Sequence, residues 1–166
     1  KLNIVILSVL ALLIAFAYIY PMVTEYDKFG ELLNPDVKHL SPRAALEYYG
    51  GNLRYMLGTG AAGQSTFDAM WNGARISISL AFICGAINMT IGVLIGAVWG
   101  FSKKVDAFMM EFYNVLGNVP YILLISVLLM LFPPTFWTMV FALTVTGWLS
   151  IAYQIRIQVV IIRDRE

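Results

Sequence analysis

IGVLIGAVWGFSKKVDAFMM, residues 91–110, sets two uncharged apolar runs on either side of a turn that carries Lys103, Lys104 and Asp106. A helix on the surface of a water-soluble protein shows an apolar stripe and a charged face. Neither run here has a charged face. The stretch reads as the end of one membrane-crossing helix, a short charged turn, and the start of the next.

Composition extends that reading to the whole chain. Of the 166 residues, 60% are apolar and 13% charged, against roughly 45–50% and about 25% in soluble globular domains. The charges fall in short blocks between long uncharged runs, as expected of a chain whose solvent is lipid. A net charge of +1 points to neither a nucleic-acid nor an acidic partner. A single cysteine, Cys84, excludes an intrachain disulfide.

A transmembrane helix needs about twenty mostly apolar residues. Four segments meet that requirement, at about 4–23, 76–101, 106–132 and 135–162. The first is longer than a signal-peptide core and has bulky residues, YPMVTEYD, after it, so it reads as a retained helix. Lys1, Lys103, Lys104, Arg156, Arg163 and Arg165 fall on one side if the helices alternate. By the positive-inside rule that side is cytoplasmic, with the N-terminus. The segment from about 24 to 75 is then external, and its five basic and six acidic residues show no positive bias.

Two short helices are expected in the external segment. In SPRAALEYYGG, Ser41 serves as N-cap, Pro42 opens the helix and Gly50 ends it. In STFDAMW, Ser65 stands three residues before Asp68, a capping-box-like start. Phe67, Met70 and Trp71 then share a face suited to the lipid surface. Between them LGTGAAGQ reads as a flexible, turn-rich strip. Residue patterns leave open whether the segment is a tether or a docking surface. His39 has no companion ligands at metal-binding spacing and reads as a loop histidine.

Apolar helices in lipid have no hydrophobic reason to associate and pack where small residues let their backbones approach. Ala81, Gly85, Asn88, Gly92, Gly96 and Gly100 form such a stripe on the second span, with Gly85, Gly92, Gly96 and Gly100 as its packing edge. On the third span Glu111, Asn114 and Asn118 share a face, and Pro120 is expected to kink the helix. Glu111 reads as interfacial. The two amides must face protein or water, either as polar glue between helices or as pathway lining. On the fourth span Gly147, Ser150, Gln154 and Gln158 line one face, and Arg156 is expected to snorkel to the cytoplasmic surface. No HExxH, GxSxG, P-loop or intramembrane carboxylate pair is present, which turns the reading away from an enzyme.

GARISISL from Gly73, IGVLIGAVWGF from Ile91, VDAFMM from Val105, the Pro120 helix, TGWLSIAYQIRIQVV from Thr146 and the closing RDRE occur in this order. Together with LGTGAAGQSTFDAMWNGARIS, their order and spacing resemble the C-type transmembrane subunit of ABC oligopeptide and dipeptide importers. The resemblance covers nearly the whole chain. The family's external GTD-x-x-GRD strip departs here: Gly58, Thr59 and Gly63 remain, while Gly60, Gln64 and Ser65 replace the two acids and the arginine. Glu111 and Asn114 stand where the family usually has arginine and aspartate.

The resemblance implies an all-α, polytopic membrane protein: four helices of a six-helix type I importer permease, with a short external helical segment. Residues 1–72 would be the N-terminal region and 73–166 the first part of the permease domain, truncated before the coupling helix. Arg163, Asp164, Arg165 and Glu166 would lie near the loop that couples to the ATPase. The implied function is an ATP-driven peptide importer in which this subunit forms half of the pathway. The implied partners are a homologous B-type permease subunit, two cytoplasmic ATPase subunits and an extracytoplasmic peptide-binding protein. No cofactor is expected in this chain, ATP being bound by the partners. Asn114, Asn118, Pro120, Ser150 and Gln154 are the expected pathway-lining residues. The alternatives are a non-transporting membrane scaffold or assembly subunit, or an ABC permease for another cargo such as nickel. An ion channel ranks lower, for want of a filter-like loop or charged ring.

Overall fold

The computed structural model describes residues 2–26 and 34–165; Lys1 and Glu166, both counted among the expected cytoplasmic-side residues, lie outside them. The described residues are helical apart from loops and one isolated β-bridge. They form two compact units, one running to Ser79 and one starting at Leu80.

The first unit is built on α1 (Leu2–Val23), α2 (Pro42–Tyr48) and the opening turns of α3 (Thr66–Phe101). Ala17 is buried and lets α1 approach α3. Around it Phe16 meets Trp71 edge-on at 4.5 Å and Tyr20 meets Phe67 edge-on at 5.3 Å. Phe67 and Trp71 therefore pack on α1. STFDAMW is not a separate surface helix: with Ser65 accepting the Asp68 amide, it forms the first turns of the 36-residue α3.

Residues 34–65 are folded, and LGTGAAGQ within them is a fixed turn, not a flexible strip. Ser41 caps α2 as the sequence predicts, accepting from the Ala44 amide, and Gly50 (φ 62°) ends it. The Gly51 amide reaches the Leu46 carbonyl at 2.7 Å, completing a Schellman turn. Thr59 pairs with Ser65 in the β-bridge. Its buried hydroxyl donates to the Val37 carbonyl and accepts from the Leu40 amide at 2.8 Å. Gly58 (φ 79°) lies so close to the Leu40 carbonyl that no Cβ fits.

The second unit holds the rest of α3, then α4 (Lys103–Gly117), α5 (Tyr121–Leu131), α6 (Phe136–Thr144) and α7 (Trp148–Arg163). The 106–132 segment is two helices bent by 77°, a sharper break than the expected kink. The 135–162 segment is also divided, at Val145–Gly147. Three stretches are long and apolar enough to cross a membrane: Asn3–Val23, Thr66–Phe101 and Phe136–Arg163. Counting the bent pair as one span makes four. Their large apolar side chains face outward, Met130 being 86% exposed, as a chain solvated by lipid requires. The molecule is an all-α, polytopic membrane protein.

Candidate functional site

The bend between α4 and α5 starts from Pro120. Proline has no amide hydrogen and its ring disfavours helical backbone at the preceding residue, here Val119, so α4 ends before it. The Asn118 side-chain amide donates back to the Asn114 carbonyl at 2.8 Å, satisfying a backbone acceptor at the interrupted end. Pro120 then caps α5, its carbonyl accepting from Leu123 and Leu124 at 3.0 and 3.2 Å.

A second break faces this one. Gly147 joins α6 to α7 where a Cβ would lie 2.5 Å from both the Asn88 amide nitrogen and the Leu143 carbonyl. Only glycine fits there. Tyr121 ties the breaks together by donating to the Leu143 carbonyl at 3.3 Å.

Between the breaks lies a cleft of about 630 Å³, within the usual size range of ligand sites. The α4–α5 bend supplies Pro120 and its neighbours; Asn88, Tyr113, Thr146 and Ser150 supply its polar side chains. The Oδ1 of Asn88 and the hydroxyl of Thr146 are buried and have no hydrogen-bond partner among the described residues. Among the expected pathway residues, Pro120 and Ser150 line this cleft. Asn118 sits in the bend, exposed and bonded to Asn114. Asn114 and Gln154 are exposed on α4 and α7 and are not on the cleft wall. Asn88, Tyr113 and Thr146 were not expected there. Asn88 had a legible signal, an amide within an apolar span, but its place in the small-residue stripe suggested packing alone.

That stripe meets α7. Cβ atoms built on Gly92, Gly96 and Gly100 would lie 2.7 Å from Ile151 Cβ, 2.5 Å from the Ala152 carbonyl and 2.7 Å from Val159 Cβ. Gly85 is not part of this edge: among the described residues nothing lies within 4 Å of a Cβ there. Next to Gly85, α6 is the neighbour: it meets buried Cys84, whose sulfur lies 4.0 Å from the Val140 carbonyl.

Arg156 reaches the charged turn at the start of α4 and is ion-paired there. Its Nε and Nη2 donate to the two Asp106 oxygens at 2.7 Å each, joining α7 to the first turn of α4, with both side chains only 18% exposed. Arg156 also lies over the Tyr153 ring, which stacks on Tyr113 at 4.7 Å beside the fully buried Trp99. At the end of α7, Arg163 donates to the Gly100 carbonyl at 2.9 Å and pairs with exposed Asp164 at 3.1 Å. Arg165 is exposed.

In the first unit Asp68, 3% exposed, gathers a second cluster. Tyr20 donates to its Oδ1 at 2.5 Å, and Arg54 donates to its Oδ2 through Nε at 2.9 Å. The hydrogen bonds it donates to Asp68 hold the Arg54 guanidinium above its ordinary pKa. Arg54 also donates to the Glu25 carbonyl at 2.7 Å, while its own carbonyl accepts from Ser65. These bonds pin the 34–65 fold to the end of α1 and the start of α3.

Known proteins supply the remaining observations. Residues 88–166 match the family described as the binding-protein-dependent transport system inner membrane component. Over the whole chain it is 40% identical to the oligopeptide transport system permease protein AmiD of Streptococcus pneumoniae, covering 52% of that protein. It is 32% identical over its whole length to the oligopeptide permease protein OppC of Bacillus subtilis, covering 51% of it. Over 68% of the chain it is 37% identical to the dipeptide permease protein DppC of Bacillus subtilis, covering 35% of that protein. The chain spans about half the length of the first two. Through residues 88–166 the chain belongs to the family of binding-protein-dependent transport system inner membrane components, and its whole length is similar to permease proteins named for oligopeptide transport.

Proposed function

We propose that this chain is part of the transmembrane subunit of an ATP-driven peptide importer. It supplies half of the translocation pathway, opposite a homologous B-type permease subunit. Two ATPase subunits bind and hydrolyse the nucleotide, so the chain itself holds no cofactor and performs no covalent chemistry. An extracytoplasmic binding protein delivers the peptide. The N-terminus, the Lys103–Lys104 turn and the Arg163–Arg165 end face the cytoplasm of a bacterial cell, and the folded 34–65 segment faces outward.

The observation that carries this reading is the similarity, over the entire chain, to permeases named for oligopeptide transport. The cleft gives it a physical form. Helices joined by short breaks move as rigid arms about hinges. The Asp106–Arg156 pair makes α4 follow α7, so motion at the charged end reaches the Pro120 bend. Asn88, Thr146 and Ser150 offer hydrogen bonds to a peptide backbone without a charged pocket for a particular side chain. Discrimination between peptides then falls mainly to the binding protein.

The test is cysteine accessibility at positions 118 and 150 in the assembled transporter, with and without ATP. Labelling that changes with nucleotide supports a moving pathway. Absence of labelling in every state means static packing and rejects the proposal.

A further inference from the structure

Outside the cleft, the second unit carries a groove of about 320 Å³ lined only by Leu94, Ile95, Val98, Val105 and Met109. Leu94 and Val98 are 64% and 63% exposed, so the groove opens to the surface of the spans. Its walls are consecutive helices, α3 ending at Phe101 and α4 starting at Lys103. Lys103 and Lys104 open α4, directly before Val105 of the groove. Both lysines are exposed.

The surrounding charges leave that pair uncompensated. Asp106, the nearest carboxylate in sequence, is held by both nitrogens of the Arg156 fork. Asp164 is paired with Arg163. Among the described residues neither lysine has an ion-pair partner. An aliphatic groove a few residues long, with two exposed lysines in the residues directly before its Val105 wall, has the layout of a phospholipid: hydrocarbon chain, then anionic phosphate.

We infer that this groove is a binding site for an anionic phospholipid, one acyl chain lying along Leu94, Val98 and Met109 and the headgroup resting on Lys103 and Lys104. A basic side chain at an anionic membrane surface favours binding roughly fivefold, which makes about 25-fold for the pair. The aliphatic walls contribute affinity without regard to headgroup, and the lysines contribute the choice.

The experiment uses the full-length permease in its purified complex, stripped of lipid. It is titrated with phosphatidylglycerol or phosphatidylcholine of identical acyl chains, with binding read by native mass spectrometry. The expected result is a preference for phosphatidylglycerol on the order of 25-fold. K103Q/K104Q removes the preference and leaves phosphatidylcholine binding unchanged. V98W, which fills the groove, weakens both lipids. The lysine double variant alters only exposed side chains, so it decides the matter even if V98W does not fold. Equal binding of the two lipids by the unaltered protein, or a preference that survives K103Q/K104Q, overturns the inference. The readout is independent of what the permease carries, so its failure is separable from failure of the transport assignment.

Discussion

Replacing Gly96 with alanine adds one methyl group where α3 crosses α7. Its Cβ would lie 2.5 Å from the Ala152 carbonyl oxygen, 2.8 Å from Ile155 Cβ and 2.9 Å from Ala152 Cα. Two of these neighbours are backbone atoms, which do not rotate away. Ordinary contact needs about 3.5 Å, so the helices must separate by about 1 Å. A gap of that size forfeits a quarter to a half of each contact. For about 40 atom pairs at ~0.15 kcal/mol, the loss is about 2 kcal/mol, within the usual 1–3 kcal/mol for overpacking. Alanine's higher helix propensity returns about 1 kcal/mol. G96A should therefore be destabilised by about 1 kcal/mol. G85A, which meets nothing within 4 Å, should be neutral or stabilised by up to about 1 kcal/mol. Detergent-titrated unfolding of the full-length permease, followed by tryptophan fluorescence, measures both. A G96A protein as stable as G85A would refute the close-packed seam.

Two further perturbations follow from the breaks and the ion pair. Asp106→Asn leaves Arg156 half-buried without its anion. The loss should be about 2–3 kcal/mol, between the values for exposed and fully buried pairs, and a double-mutant cycle with Arg156→Gln should show most of it as coupling. Pro120→Ala restores an amide hydrogen at the bend, so α4 and α5 should approach one continuous helix. Spin labels at positions 110 and 128 would then move apart, and peptide uptake should fall; an unchanged distance would place the cause of the bend in packing instead.

How much of this was legible depended on the range of the forces involved. The spans could be read because lipid demands unbroken apolar runs. The Gly92–Gly96–Gly100 edge could be read as a packing face because small residues at intervals of four have few other uses on such a helix, though not which helix it meets. Pro120 announced an interruption locally, but its 77° angle also depends on contacts such as Tyr121 with Leu143, 22 residues on. The break at Gly147 was missed because the residues around it are as apolar as a continuous span. Asn88, which a Cβ at Gly147 would meet at 2.5 Å, lies on another helix. Arg156 and Asp106 are 50 positions apart, so each looked like an interfacial charge alone. The LGTGAAGQ strip reads as flexible from its glycines. Closure by Thr59, Ser65 and Arg54 depends on partners that its composition does not reveal.

The most direct test of the transport account is a photo-crosslinking residue placed at position 150 of the full-length permease, in the assembled importer, during uptake of a labelled oligopeptide. Ser150 lies on the cleft wall, so the account predicts a peptide adduct that appears with binding protein and ATP and is competed away by unlabelled peptide. The same crosslinker at position 85 should give none. Active uptake with no adduct at position 150, or equal adducts at both positions, would contradict it.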